Sequence, residues 1–329
     1  MKRLRSTLVA ITFSLSLIGL VALPLQAQTP AEETGQALEI APPIATLNVD
    51  PGETTTLDIL LRNVSTAEQI ASAEVNDFVA SGETGTPRLL LDDEEAEGNP
   101  YSIGDWVQPM QPVLLVPGEV KSVPVTITVP DNASPGGHYG VIRFSASAPE
   151  LEDTGVALSA SVGTLVLATV SGETTERLEI EESSVNIDGK TGTFFESTPL
   201  QFVQRIKNSG NNHVQPSGQV TISDMFGRTV ASLNVNLPPR YILPASVRRF
   251  EQPLDSSVIG DKWLFGRYTA DLELTYGENE QTLSNSFTFW VIPYRLIGFA
   301  VVGLIIAFFA ARFGLRRYNE RVIEKARKR

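Results

Sequence analysis

Two histidines, His138 and His213, are the only imidazoles in the 329-residue chain, and there is no cysteine at all. A histidine-based catalytic zinc site needs three protein ligands, so two imidazoles do not complete one. Without a thiol there is no thiolate metal site, no disulfide and no lipid anchor through cysteine. The sequence contains no Gly-x-Ser-x-Gly elbow, no phosphate-binding Gly-rich loop and no His-Glu-x-x-His. A carboxylate pair for glycoside hydrolysis leaves no local signature, because its members come from distant strands. His138 and His213 therefore read as ordinary surface or turn residues. The acidic run Asp92-Asp93-Glu94-Glu95 with Glu97 lacks the alternating carboxylates that fold around calcium, and reads as a solvated loop. Trp106 and Trp263 read as packing groups in preference to a sugar-stacking platform. The chain is expected to be noncatalytic, with no cofactor and no metal.

The elements that carry these residues are strands. Leu38 and Ile40 are followed by a Pro51-Gly52 turn and by Leu57, Ile59 and Leu61 at alternate positions. The same grammar recurs in Val113 to Val116, the Pro117-Gly118 turn, and Val123, Val125, Ile127 and Val129. Pro124 inside that run marks an edge strand. Pro135-Gly136-Gly137 then opens a strand from Tyr139 to Ala146, and Val156 to Val170 forms another run rich in Val, Leu and Thr. Short strands separated by Pro, Gly, Asn and Asp turns indicate an all-β chain of immunoglobulin-like sandwiches.

An internal repeat divides the strands into two sets. TTTLDILLRNVS (54–65) is echoed by PLQFVQRIKNSG (199–210), and LLVPGEVKSVPV (114–125) by YILPASVRRFEQ (241–252). Gly137-His138-Tyr139 is echoed by Gly266-Arg267-Tyr268, and the three pairs keep the same order. Two tandem sandwiches are expected, over 38–172 and 176–290. Gly137 with Tyr139 and Gly266 with Tyr268 are the expected structural corners, each Tyr turning its hydroxyl back onto backbone a few residues upstream.

The two ends of the chain set its topology. Lys2, Arg3 and Arg5 precede an apolar run from Leu8 to Leu25, the pattern of a signal peptide over 1–27, followed by a polar leader over 28–37. Near the other end, Leu296 to Ala311 is 16 residues of uninterrupted apolar side chains or Gly. With its flanks it makes a transmembrane helix over 294–315, about 20 residues being enough to cross a bilayer core. Trp290 and Tyr294 suit one headgroup layer, and Arg312, Arg316 and Arg317 the other. The basic tail over 316–329 is the cytoplasmic side, so the sandwiches face outward from the cell membrane. Setting aside the leader's three cations and the nine from Arg295 onward leaves 14 against 36 carboxylates outside, a net charge near −22. So acidic a surface excludes nucleic acid as a partner and argues against adhesion of the external face as a whole to anionic lipid.

Pro51-Gly52-Glu53, Asn76-Asp77-Phe78 with Gly85-Thr86-Pro87, Trp106-Val107, Pro117-Gly118-Glu119 and Pro135-Gly136-Gly137-His138-Tyr139-Gly140 resemble the first domain of the WxL-interacting cell-surface proteins of bacteria. The layout of leader, two sandwiches, one span and a basic tail resembles that family as well. The resemblance implies peptidoglycan binding through the first domain, surface-protein binding through the second, and WxL-domain partners at the wall. It marks no binding residues. The expected function is thus a membrane-anchored envelope protein that binds cell-wall polymer or surface proteins. The alternative is a membrane-tethered chaperone-like or assembly factor that pairs a sheet edge with a client strand.

Overall fold

A computed structural model describes residues 37–91, 98–147, 161–260 and 263–327. The expected signal peptide, most of the polar leader and the acidic run from Asp92 to Glu97 lie outside the described residues.

Runs rich in Val, Ile, Leu and Thr, broken at Pro-Gly turns, produce the first nine strands. They are β1 (Leu38–Ala41), β2 (Ile44–Val49), β3 (Thr54–Asn63), β4 (Gln69–Ser81), β5 (Thr86–Leu90), β6 (Val113–Leu115), β7 (Val120–Thr128), β8 (Gly136–Ser147) and β9 (Ser161–Val170). They form a three-stranded sheet, β1-β3-β7, and a six-stranded sheet, β2-β9-β8-β4-β5 with β6 also on β4. Ile59, Leu61, Val125 and Ile127 from one sheet meet Ile142, Phe144, Val166 and Val170 from the other in one buried core. Trp106 is part of that core and packs on the His138 ring, 4.5 Å between centroids. Pro124 lies in β7, at the margin of the smaller sheet, where its missing N–H leaves no ladder bond unmade.

The second set comprises β10 (Leu178–Ile187), β11 (Lys190–Gly192), β12 (Phe194–Phe195), β13 (Leu200–Asn208), β14 (Ser217–Asp224), β15 (Thr229–Val235), β16 (Val247–Leu254), β17 (Gly266–Tyr276) and β18 (Gln281–Val291). Sheets β11-β10-β13-β16 and β12-β18-β17-β14-β15 enclose a second core around Phe202, Ile206, Ile222, Leu272 and Phe289. A one-turn helix, α1 (Ser256–Ile259), follows β16, and the long helix α2 (Tyr294–Arg327) follows β18. Described residues of α2 form one helix long and apolar enough to cross a membrane. The helix continues to Arg327, so the basic tail is helical over 316–327 instead of a separate segment.

The repeat has a physical signature. Asn63 ends β3 and is fully buried, its amide donating to the carbonyls of Ala67 (2.8 Å) and Leu115 (3.0 Å) while its oxygen accepts from Ser65 N (2.9 Å). Asn208 ends β13 and does the same, donating to Asn212 O (2.7 Å) and Ile242 O (2.8 Å) and accepting from Gly210 N (2.9 Å). Each asparagine ties its strand to the segment that leads into the neighbouring β7 or β16. The Pro-Gly-Glu turns are also built alike: Glu53 and Glu119 reach back to Asp50 N (2.7 Å) and Val116 N (2.9 Å) across glycines at φ 78° and 76°.

Candidate functional site

The six-stranded sheet of the first sandwich is covered on both faces. Its outward side carries Phe78 from β4, Tyr139 and Val141 from β8, and Leu165 and Leu167 from β9. Tyr241 and Leu243, from the segment before β16, pack on that side. A sheet buried on both faces needs apolar residues at consecutive positions, which Val141-Ile142 in β8 and Leu165-Val166-Leu167 in β9 present.

Three sets of polar contacts fix the joint. Gly137 N donates to Asn211 O (2.8 Å), the Asn211 amide to Pro135 O (3.1 Å), and Thr169 Oγ1 to Asn212 Oδ1 (3.0 Å). The β4–β5 hairpin reaches the second sandwich, where Arg205 Nε donates to both Glu83 carboxylate oxygens at 3.0 Å. The Arg205 bond is the chief reason that the Glu83 carboxyl sits below its ordinary range. Arg249 N donates to Glu83 O (2.8 Å), and Arg248 donates to Thr84 O (3.0 Å) and Tyr241 O (2.6 Å).

Beside this joint lies an apolar pocket of about 240 Å³ lined chiefly by Ile44, Phe78, Leu165, Leu167, Tyr241 and Leu243. Arg240 and Arg248 stand on its wall. Ile44 begins β2, which is the marginal strand of its sheet: β9 pairs with one side of it, and no described strand pairs with the other. Ile44 is 46% exposed. The arrangement offers an unpaired strand edge next to an aliphatic floor, with cationic groups above it.

The expected corners come out differently. Tyr268 Oη accepts from Phe265 N (2.9 Å) and donates to Phe265 O (3.3 Å), within its own sandwich. At Gly266, φ is 108° and the Met225 methyl occupies the space a Cβ would need. The expected backbone contact at Tyr139 is replaced: its hydroxyl faces His213 Nδ1 at 3.4 Å, across the joint. The reason is that the second sandwich covers this face, so the hydroxyl finds a partner there. Gly137 leaves the space in which that hydroxyl lies.

The histidines are neither surface nor simple turn residues. His138 is buried between Trp106 and the carbonyls of Ser102 and Ser134. His213 packs edge-on against Tyr139 and Tyr241, with centroids 5.7 and 5.0 Å away. Burial pushes His213 down to about 4 and raises the Tyr139 hydroxyl well above the ordinary phenol range. Trp263, expected to pack, is instead 68% exposed. Trp290 stacks on Phe194, with centroids 6.1 Å apart and planes 11° from parallel. Tyr294 opens α2, and Arg312, Arg316 and Arg317 are exposed along it. Among the described residues, no group of three or more His, Asp or Glu is arranged to hold a metal ion.

No family model and no curated protein matches the chain. Among solved structures, the class 5 fimbriae chaperone CfaA is similar at 15% identity over 76% of this chain and 98% of its own, with a TM-score of 0.37. The E. coli chaperone DraB is 13% identical over 77% of this chain and 96% of its own, with a TM-score of 0.35. The seventh PapD-like domain of human CEP192 is 14% identical over 49% of this chain and 99% of its own, with a TM-score of 0.29.

Proposed function

We propose that this chain is a noncatalytic, membrane-tethered envelope protein that holds an extended apolar segment of a partner protein in the cleft between its sandwiches, a chaperone-like or assembly role. The observation that carries this reading is the unpaired edge of β2 beside the pocket floored by Ile44, Leu165 and Leu167. An added strand takes main-chain hydrogen bonds from such an edge and places alternate side chains in the neighbouring pocket. The aliphatic lining favours a protein segment over the polar glycan of peptidoglycan, the ligand implied by the family resemblance. Arg240 adds a preference for a segment that carries a carboxylate.

The tether is α2, inserted with the sandwiches outside and Arg316, Arg317 and the residues after them in the cytoplasm. Its support is the apolar length of the helix and the cations that follow.

The test uses the full chain in nanodiscs and fluorescent peptides of alternating Val and Thr, with a Pro-interrupted peptide as control. The wild type binds the first peptide and not the second, and Ile44→Asp loses binding while its melting temperature stays put. Equal binding by wild type and Ile44→Asp would sink the cleft reading. Retention of Ile44→Asp on purified sacculi would return the wall polymer as the ligand.

A further inference from the structure

The second sandwich has two ends of opposite character. At the end nearest the joint, the β17–β18 hairpin turns through Gly277 with Glu278, Asn279 and Glu280 exposed, all polar or acidic. At the other end the chain leaves for α2, and there the exposed residues are apolar. Strand pairing fixes which loops share this end: Asp224 lies opposite Tyr268, Gly266 opposite Val291, and Phe194 beside Trp290. Phe226 at the tip of the β14–β15 hairpin is 75% exposed, Phe194 70%, Trp263 68% and Phe265 53%. None of these side chains belongs to the cleft.

Only Ile292 and Pro293 separate β18 from α2. Ile292 N donates to Phe195 O (2.8 Å), and Arg295 Nε lies 3.2 Å from Glu196 Oε2, so β12 holds the start of the helix. The aromatic rim therefore sits within a few residues of the point where α2 enters the bilayer. The local charge suits that position, although the ectodomain as a whole is strongly acidic. Asp224 is neutralised by Arg228 at 2.7 Å and Glu196 by Arg295, while Arg267 is exposed in the same rim.

We infer that this rim of the second sandwich is a lipid-contacting surface: Phe226, Trp263, Phe265 and Phe194 seat in the headgroup layer of the membrane that α2 crosses. The inference rests on the tether proposed above and adds to it a fixed stance of the sandwiches over the bilayer. Aromatic rings favour this layer because an apolar face and a polar edge or neighbour are satisfied together. Exposed apolar patches on a soluble surface mark contacts of this kind. Covalent attachment makes the contact intramolecular, so even weak partitioning is well populated. The Arg228 guanidinium lies 5.3 Å from the Phe226 ring centroid, a polar neighbour for that ring.

The chain has no cysteine, so a single one can report on each site. Full-length Phe226→Cys, Trp263→Cys and Asn279→Cys, each with an environment-sensitive fluorophore, are placed in phosphatidylcholine and phosphatidylglycerol nanodiscs carrying shallow nitroxide lipids. Asn279 is the control, about 35 Å away along the strands. The expected result is quenching at Phe226→Cys or Trp263→Cys at least about twofold that at Asn279→Cys. Equal quenching at all three sites, in protein that resists carbonate extraction from liposomes, removes the rim contact and leaves the tether. Release by carbonate removes the tether, and the rim contact falls with it.

Discussion

The hydroxyl of Tyr139 in the first sandwich lies 3.4 Å from Nδ1 of His213 in the second, and both groups are largely enclosed. Protonating His213 would place a charge where burial disfavours it.

This gives the pH dependence a sign. Burial lowers His213 from its ordinary 6.5 to about 4 in the folded chain. The contribution is fully present above pH 6.5 and is lost as pH falls from there through about 4, a total of about 3 kcal/mol. Carboxylates titrate at the lower end of the same window, so the comparison is between wild type and His213→Phe. Denaturant melts at steps between pH 7.5 and 4 are expected to show a steeper loss in the wild type. Identical slopes would mean that His213 is hydrated.

The joint depends more on backbone fit than on its ion pair. Glu83 and Arg205 are each about a third exposed, and pairs with that much solvent contact contribute under about 1 kcal/mol. Gly136 has φ 115°, and a Cβ there would meet the Asn211 carbonyl oxygen. Glu83→Ala should therefore lower stability by less than about 1 kcal/mol, and Gly136→Ala by about 2 kcal/mol or more. Chemical denaturation reads both, and a larger loss from Glu83→Ala would reverse the ranking.

Asn63 and Asn208 make equivalent bonds, so their loss should have equivalent effects. Asn208→Ala leaves two buried carbonyls and one N–H without their partner, and Asn63→Ala one buried and one part-buried carbonyl and one N–H, a cost of about 2 to 4 kcal/mol. Calorimetry of Asn63→Ala should destabilise the first sandwich and Asn208→Ala the second by similar amounts. A loss below about 0.5 kcal/mol at either site would mean that water replaces the amide there.

Several of these features can be read in the residue order. Turns at Pro51-Gly52 and Pro117-Gly118 follow from local backbone chemistry, since Gly at positive φ and a Glu reaching back are short-range events. The edge position of β7 follows from Pro124, because a residue without an N–H cannot sit between two strands. The repeat aligned Asn63 with Asn208 without showing that their amides are buried. The pocket was missed, although β8 and β9 carried its signal: consecutive apolar residues at Val141-Ile142 and Leu165-Val166-Leu167 imply a sheet covered on both sides. The pattern cannot name what covers it. Tyr139 and Tyr268 follow similar Gly-x-Tyr patterns, yet one hydroxyl meets its own loop and the other a histidine 74 positions away.

By itself, the order of residues determined that this chain is built from strands, that it divides into two related sets, and that one helix after them is long and apolar enough to cross a membrane. These depend on periodicity, turn chemistry and hydrophobic length, all local quantities. Only the tertiary structure decided which faces meet, that Glu83 reaches Arg205, that Ile44 borders an open cleft, and that Phe226, Trp263 and Phe265 gather at the end where the chain enters α2. Those are relations between residues distant in the chain, 122 positions for Glu83 and Arg205, fixed by the packing of one sandwich on the other and by strand register.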